Sequence, residues 1–298
     1  MKKRPEKRPE WLKIKLRGNS GFQKVEHLLE DLNLNTVCKE ANCPNRGECY
    51  SSGTATFMIM GRECTRKCRF CNVRDGIPKG LDIDEPKNVA QAVEILKLNY
   101  VVVTSVTRDD IEDGGAEHFA KTIEAVKEIE RGVKIEVLIP DLGGDRISLG
   151  KVLGAVPDVL NHNIETVPRL YEAVRPEAEY KRSLMVLRNT KEINPRVKTK
   201  SGIMLGLGEE REEVIQVFKD LREHSCDLLT IGQYLSPSKE HYPVQEYITP
   251  EEFQWYREKA LEIGFEGVAA GPLVRSSYKA WELFEKEDDR SDTKEDIT

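Results

Sequence analysis

Three cysteines, Cys64, Cys68 and Cys71, stand in the run GRECTRKCRFCNV with C-x3-C-x2-C spacing. Three more, Cys38, Cys43 and Cys49, stand just upstream in TVCKEANCPNRGECY with C-x4-C-x5-C spacing. Thiolates ligate iron–sulfur clusters, and a triplet supplies three corners of a four-iron, four-sulfur cube. The fourth iron then keeps an open position, by the logic that separates catalytic zinc sites from closed structural ones. An open iron can chelate a substrate or cofactor, so the missing fourth cysteine is informative. Arg62, Arg66, Lys67 and Arg69 are expected to offset thiolate charge, and Phe70 to shield the site from water. The plain alternatives are a zinc knuckle at Cys64, Cys68 and Cys71 and, at Cys38, Cys43 and Cys49, a zinc site completed by a remote histidine. Cys226 stands alone before an apolar stretch and reads as a small buried hydrophobe.

Six of the seven cysteines fall between residues 38 and 71 of a 298-residue chain, which argues for metal ligands over a disulfide framework. An apolar content of 39% is enough for a full core. A balance of 46 basic against 52 acidic residues, net −6, argues against a nucleic-acid partner. No apolar run reaches the roughly 18 residues of a membrane span. The basic N-terminus, MKKRPEKRPEWLKIK, lacks the apolar stretch of a secretory signal, so a cytoplasmic location is expected. The acidic tail 285–298, EKEDDRSDTKEDIT, is too polar to offset its ordering entropy and is expected to be disordered.

These groups need a scaffold to position them. Short apolar, often β-branched runs at 54–61, 99–106, 133–140, 157–164, 197–205 and 227–234 read as strands. Helical patterns lie between most of them: one starting at Pro86, and others at 116–130 and 209–224. A last helix is expected at 249–264, with Thr249 as cap, Pro250 at the first position and Gly264 as stop. Such alternation predicts a mostly parallel sheet with right-handed crossovers, either a doubly wound sheet or an incomplete barrel. Every strand runs into a polar or glycine-rich cluster at its C-terminal end. After the second comes Thr107-Arg108-Asp109-Asp110, after the third Asp141, and after the fourth Asn161-His162-Asn163 with Glu165-Thr166. Gly206-Leu207-Gly208-Glu209 follows the fifth, and Gln233 with Ser236-Pro237-Ser238 the sixth. Barrels collect their catalytic groups on this face.

The C-x3-C-x2-C run with an aromatic before its last cysteine, placed after a first strand, resembles the signature of the radical S-adenosylmethionine superfamily. The resemblance implies an α/β fold, an incomplete (β/α)6 TIM-type barrel with N-terminal and C-terminal extensions. It also implies that the open iron takes the amino and carboxylate groups of S-adenosylmethionine. One electron from the cluster then gives a 5′-deoxyadenosyl radical. Asp113, Gly114 and Gly115 lie where relatives carry a Gly-Gly-Glu that binds the methionyl amine, although Ala116 stands in place of the Glu. Gly202 and Gly206, in GIMLGLGE, match a glycine motif that approaches the adenine. Asn163 and Glu165 join them as expected cofactor contacts, and the roles of His162, Arg175 and Tyr180 stay open.

Both triplets together, with WLKIK (11–15), NHNIETVPRLYEAVRPEAEYKRSL and GPLVRSSYKA, resemble the lipoyl synthase family over most of the chain. That resemblance implies a sulfurtransferase with two [4Fe-4S] clusters. Cys64, Cys68 and Cys71 would hold the cluster that binds S-adenosylmethionine. Cys38, Cys43 and Cys49 would hold an auxiliary cluster whose fourth ligand is Ser277 of Arg275-Ser276-Ser277-Tyr278. The auxiliary cluster would donate two sulfur atoms to C6 and C8 of an octanoyl-lysine on a carrier protein. Implied partners are octanoylated lipoyl carrier domains (2-oxoacid dehydrogenase E2 and the glycine cleavage H protein) and a low-potential electron donor, with no nucleic acid and no membrane. The implied organisation is 1–53 carrying the auxiliary cysteines, 54–248 the barrel, 249–284 the C-terminal helix and RSSY segment, and 285–298 the tail.

A biotin-synthase-like sulfur inserter or a methylthiotransferase would share Cys64, Cys68 and Cys71, but not Cys38, Cys43 and Cys49 with RSSY. An electron carrier or zinc-stabilised scaffold is the non-enzymatic rival. Anaerobic reconstitution is expected to load more than about four irons per chain with matching sulfide. Four or fewer on metal analysis, or zinc instead, would remove the two-cluster reading.

Overall fold

The computed structural model describes residues 7–13, 20–129 and 131–284. The tail 285–298 and most of the basic N-terminus lie outside the described residues. Seven strands form one parallel sheet: β1 (Thr56–Ile59), β2 (Tyr100–Ser105), β3 (Lys134–Leu138), β4 (Val159–Asn161), β5 (Lys198–Leu205), β6 (Leu228–Gln233) and β7 (Gly267–Gly271). Their spatial order is their chain order. A doubly wound sheet must reverse direction at a switch point. An unreversed order with crossovers of one hand puts every helix on the same face, so the sheet curls into a partial barrel.

A helix follows each of the first six strands: Glu85–Ile95, Ala116–Lys127, Arg146–Gly154, Tyr180–Ile193, Arg211–Glu223 and Pro250–Ile263. The expected signals set their ends. Thr249 Oγ1 accepts the Glu252 amide at 3.2 Å, Pro250 opens the last helix, and Gly264 ends it at φ 105°. These are the six predicted units, and β7 adds a seventh strand inside 249–284, the segment assigned by sequence to a helix and a cluster closure. Its sequence, GVAAG, lacks the large β-branched or aromatic residues that mark a strand. Small residues are required there: a Cβ at Gly267 would stand 2.9 Å from Leu228 Cδ2 and 3.0 Å from Leu283 Cδ1.

Strand residues two apart share a face. Phe57, Val101, Val103, Ile135 and Val137 face outward into a core completed by Val89, Phe119 and Ile123. The N-terminal helix Ser20–Asp31 joins the same core through Val25 and Leu29. Residues just before the first cysteine run along β1, where the Met58 amide donates to the Asn35 carbonyl at 2.8 Å and Thr36 bridges Phe57 antiparallel. The strand's outer border is thereby paired.

Inside the barrel lies a buried ionic layer. Lys200 Nζ donates to both Glu136 oxygens at 2.9 Å, while Tyr100 Oη (2.7 Å) and Asn161 Nδ2 (3.0 Å) donate to the same carboxylate. Neither charged side chain exceeds 1% exposure. Breaking such a pair leaves a charge unmatched in a poorly polarisable interior. Lys200→Met is therefore expected to lower unfolding free energy by about 3–5 kcal/mol. In denaturant titrations, adding Glu136→Gln should recover part of that loss.

Candidate active site at the barrel mouth

The loop carrying Cys64, Cys68 and Cys71 is held by main chain and by one arginine. Glu63–Cys64 pairs in parallel with Arg74–Asp75, closing the loop at its base. Three amide contacts fix its course: Thr65 to the Thr107 carbonyl at 3.1 Å, Arg69 to Val174 at 2.8 Å, and Tyr242 to Arg69 at 2.8 Å. His241 Nε2 reaches the Cys71 carbonyl at 3.0 Å. Two amides point at sulfur, Thr107 N to Cys64 Sγ at 3.3 Å and Val73 N to Cys71 Sγ at 3.4 Å.

Arg66 does not serve as a counter-charge for the thiolates. Its guanidinium, 8% exposed, makes paired bonds to Asp109 at 2.8 and 2.8 Å and to Asp141 at 3.0 and 2.7 Å. The other expected counter-charges are engaged as well: Arg62 with Asn35 and Glu40, Lys67 with Asp75, and Arg69 with the Ala173 carbonyl and the Tyr242 ring. Arg175 takes up the part instead. Burial pushes the Cys68 thiol up to about 11, and among nearby charges Arg175 is the one that opposes the rise. Cys71 is pushed up to about 12 by burial, with Cys68 and Cys64 adding to the shift. The three thiols are thus mutual neighbours.

The upstream triplet lies on two short helices and the turn between them. Cys38 sits on Val37–Glu40, capped by Thr36, and Cys49 on Arg46–Ser51. Burial raises Cys38 to about 11 and Cys49 to about 12, and the like charge of Cys43 adds to both. The C-terminal RSSY segment docks against this triplet. Asn45 Nδ2 donates to the Leu273 carbonyl at 2.7 Å, and Tyr278 Oη to Glu48 Oε1 at 2.9 Å. Close approach is possible because residue 232 has no side chain: a Cβ on Gly232 would stand 2.2 Å from the Val274 carbonyl oxygen. Gly232 bears on the site although sequence reading gave it no role of its own.

Cys64, Cys68, Cys71, Cys43 and Ser277 all face one cavity of about 830 Å³ at the C-terminal ends of the strands. Among the described residues, no three His, Cys, Asp or Glu side chains converge on a single metal ion. A cluster asks something different, because each corner thiolate binds its own iron. Three free thiols per group, with amides aimed at the Cys64 and Cys71 sulfurs in one of them, suit that demand. The wall also holds polar atoms without partners: Asn163 Oδ1, His162 Nε2 and Arg175 Nε. Buried polar atoms are normally bonded, so a polar ligand fits here. Glu165 stands in the left-handed region at φ 66°, fixed by its bridge to Ile203, and burial raises its carboxyl while Arg175 and Asn163 oppose the rise. A non-glycine residue held there marks strain kept at a site. Gly202 gives this wall its room, since a Cβ would lie 2.8 Å from both Asn163 Oδ1 and Thr230 Oγ1.

Other expected contacts stand apart from the cavity. Asp113 caps the helix Ala116–Lys127 through the Gly115 and Glu117 amides at 2.9 and 3.0 Å, and pairs with Lys151. Gly114 packs on Leu142 and Gly115 on Met60. The cavity is lined instead by Thr104, Ser105, Val106 and Thr107 just upstream. Gly206 turns the chain at φ 97°, where a Cβ would meet Gln233 Nε2 at 2.3 Å and the Glu246 carbonyl at 2.4 Å. Tyr180 bonds Asp220, and Cys226 is buried with its thiol donating to the Leu228 carbonyl, the structural part expected of it.

A partial parallel barrel with a three-cysteine loop at its mouth is the architecture of radical S-adenosylmethionine enzymes, and a model of the radical SAM superfamily matches residues 58–221. Solved structures of methylornithine synthase (TM-score 0.56, 14% identity, covering 90% of this chain and 88% of that one) and of the [FeFe]-hydrogenase maturase HydG (0.55, 14%, 84% and 67%) share the fold. Lipoyl synthases are much nearer in sequence. That of Caldicellulosiruptor saccharolyticus is 58% identical over 276 residues (93% of this chain, 97% of that one), and that of Alkaliphilus metalliredigens 55% over 283 (95% and 98%). The chain belongs to the lipoyl synthase family. It is a radical enzyme of sulfur insertion in lipoyl cofactor synthesis, of a kind that uses S-adenosylmethionine and [4Fe-4S] clusters.

His162 yields a pH prediction. Its Nδ1 lies 2.9 Å from the Ile139 carbonyl, which can only accept, so Nδ1 carries the proton and Nε2 is a bare acceptor. Burial, reinforced by Arg175, lowers its pKa from 6.5 to about 4. The unfolded chain therefore takes up a proton that the folded one resists. The stability tied to this group is intact above about pH 6.5 and is lost as pH falls towards 4, by up to about 3 kcal/mol. His162→Asn should move the acid-unfolding midpoint of the apo-protein to lower pH, as read by circular dichroism; an unmoved midpoint would contradict the assignment.

Proposed function

We propose that the chain inserts two sulfur atoms, at C6 and C8, into an octanoyl chain held in amide linkage on a carrier-protein lysine. Cys64, Cys68 and Cys71 would hold the cluster that takes S-adenosylmethionine, and Cys38, Cys43 and Cys49 with Ser277 the cluster that gives up sulfur. When bound, these groups supply a primary carbon radical and sulfide. One observation carries this reading. All three thiols of one triplet, Cys43 of the other and the Ser277 hydroxyl face a single cavity, so an acyl chain entering it lies between the two sites.

The chain's own residues bind, orient and exclude water. Arg175, backed by its bonds to the Asn163 and Ile164 carbonyls, brings positive charge to the Cys68 side. Asn163, Glu165 and the neutral His162 present two acceptors and an amide to a polar cofactor. Met58, Val106, Leu138 and Ile139 line the interior with apolar surface, suited to an octanoyl chain and to keeping solvent from a reactive intermediate. Among the described residues no helix is long and apolar enough to cross a membrane. Expected partners are octanoylated lipoyl domains of 2-oxoacid dehydrogenases or the glycine cleavage H protein, with a low-potential reductant, in the cytoplasm.

The test is anaerobic turnover of an octanoyl-lysyl carrier peptide with S-adenosylmethionine and a strong reductant, followed by mass spectrometry. A gain of two sulfurs with loss of two hydrogens is expected; a single sulfur or a methylthio gain would point to another sulfur inserter. Ser277→Cys should form the product more slowly, because a thiolate would hold the donor cluster more firmly than a serine oxygen. An equal rate would show that the serine's weaker grip is irrelevant.

A further inference from the structure

Asn163 touches both halves of the cavity. One amide hydrogen goes to Glu165 Oε1 at 3.0 Å, and the other to Ser276 Oγ at 3.1 Å. Glu165 and Arg175 line the same cavity as Cys64, Cys68 and Cys71, and Ser276 is the residue next to Ser277. A path of two side-chain hydrogen bonds therefore joins the wall at the Cys64, Cys68 and Cys71 site to the segment that closes the other.

We propose that the Asn163–Ser276 hydrogen bond couples the two cluster sites, so that occupancy of the S-adenosylmethionine side tightens the hold of the RSSY segment on the auxiliary side. Ser276 acts as a positioning residue for Ser277. The inference rests on the proposed assignment of the two triplets and concerns what passes between them.

The sign follows from the state of the amide. Asn163 Oδ1 is buried without a partner, above Gly202. A ligand donor that reaches Oδ1 polarises the amide and strengthens both hydrogens on Nδ2, because linked hydrogen bonds reinforce one another. The bond to Ser276 is then firmer with ligand than without. By linkage, a firmer Ser276 bond must also favour the ligand by the same factor. The other anchors of the segment do not share this property. Asn45 holds the Leu273 carbonyl and Tyr278 holds Glu48, and neither contact reaches the Cys68 side. One neutral hydrogen bond limits the effect to about twofold to tenfold.

The measurement is the rate at which a chelator removes iron from the anaerobically reconstituted holoenzyme, with and without S-adenosylmethionine and with no reductant, so that turnover cannot start. Spectroscopy assigns each phase to one cluster. In the parent, the cofactor should slow iron loss from the auxiliary cluster by about twofold to fivefold. In Ser276→Ala, that loss should be several-fold faster and indifferent to the cofactor. Ser276→Thr, which keeps the hydroxyl, should restore the difference. A parental rate in Ser276→Ala, or a cofactor effect that survives in it, overturns the coupling. Reductant added afterwards reports the underlying assignment separately: cleavage of S-adenosylmethionine without any cofactor effect on iron loss sinks only the coupling, whereas no binding or cleavage sinks the assignment itself.

Discussion

The site depends on the two-sided grip of Asp109 and Asp141 on Arg66. A three-cysteine loop has little apolar surface of its own, and its thiols must all face one point. A buried guanidinium would be costly without partners; here four short bonds from two carboxylates satisfy it. Arg66 keeps Asp141 ionised as well, at about 2 despite burial. Because Asp109 follows β2 and Asp141 follows β3, the loop is registered against two neighbouring strands, and its cysteines inherit the rigidity of the sheet. A lysine could not make both paired contacts, since it offers a point charge in place of a planar fork.

The second triplet is held by a different logic. It lies outside the six strand–helix units, where residues 38–49 meet residues 273–278. The meeting is steric as much as polar. The Val274 main chain can pass over β6 because Gly232 offers no Cβ, and the Asn45 and Tyr278 bonds then fix where it stops. One triplet is thus built on the sheet and the other across its mouth.

Much of this was legible in the sequence. All six strand runs, and the helices expected from Pro86, at 116–130 and at 209–224, stand within a few residues of where periodicity put them, and the last helix starts and ends on its Thr249 and Gly264 signals; the helices Arg146–Gly154 and Tyr180–Ile193 were not assigned. The cysteine spacings singled out both triplets, and the structure brings Cys64, Cys68, Cys71 and Cys43 to one cavity. What sequence did not reveal has physical causes. Strand β7 is built of small residues because its neighbours crowd it, so it carries no strand signal. Arg66 looked like a counter-charge because spacing cannot show that two distant aspartates converge on it. Asp113 and Gly206 looked like cofactor contacts because they sit in motif positions, yet one is a helix cap and the other a turn. His241 and Gly232 were given no individual role, since their importance lies in what packs against them.

The antiparallel bridge from Thr36 to Phe57 has a consequence for handling the protein. The residues that cover the outer border of β1 lead directly into the helix bearing Cys38, so one short segment both shields a strand and positions that thiol. If that segment is not held in place, as during preparation without iron, the border of β1 becomes a template for pairing with other chains. Self-association and displacement of the Cys38 thiol should therefore arise together.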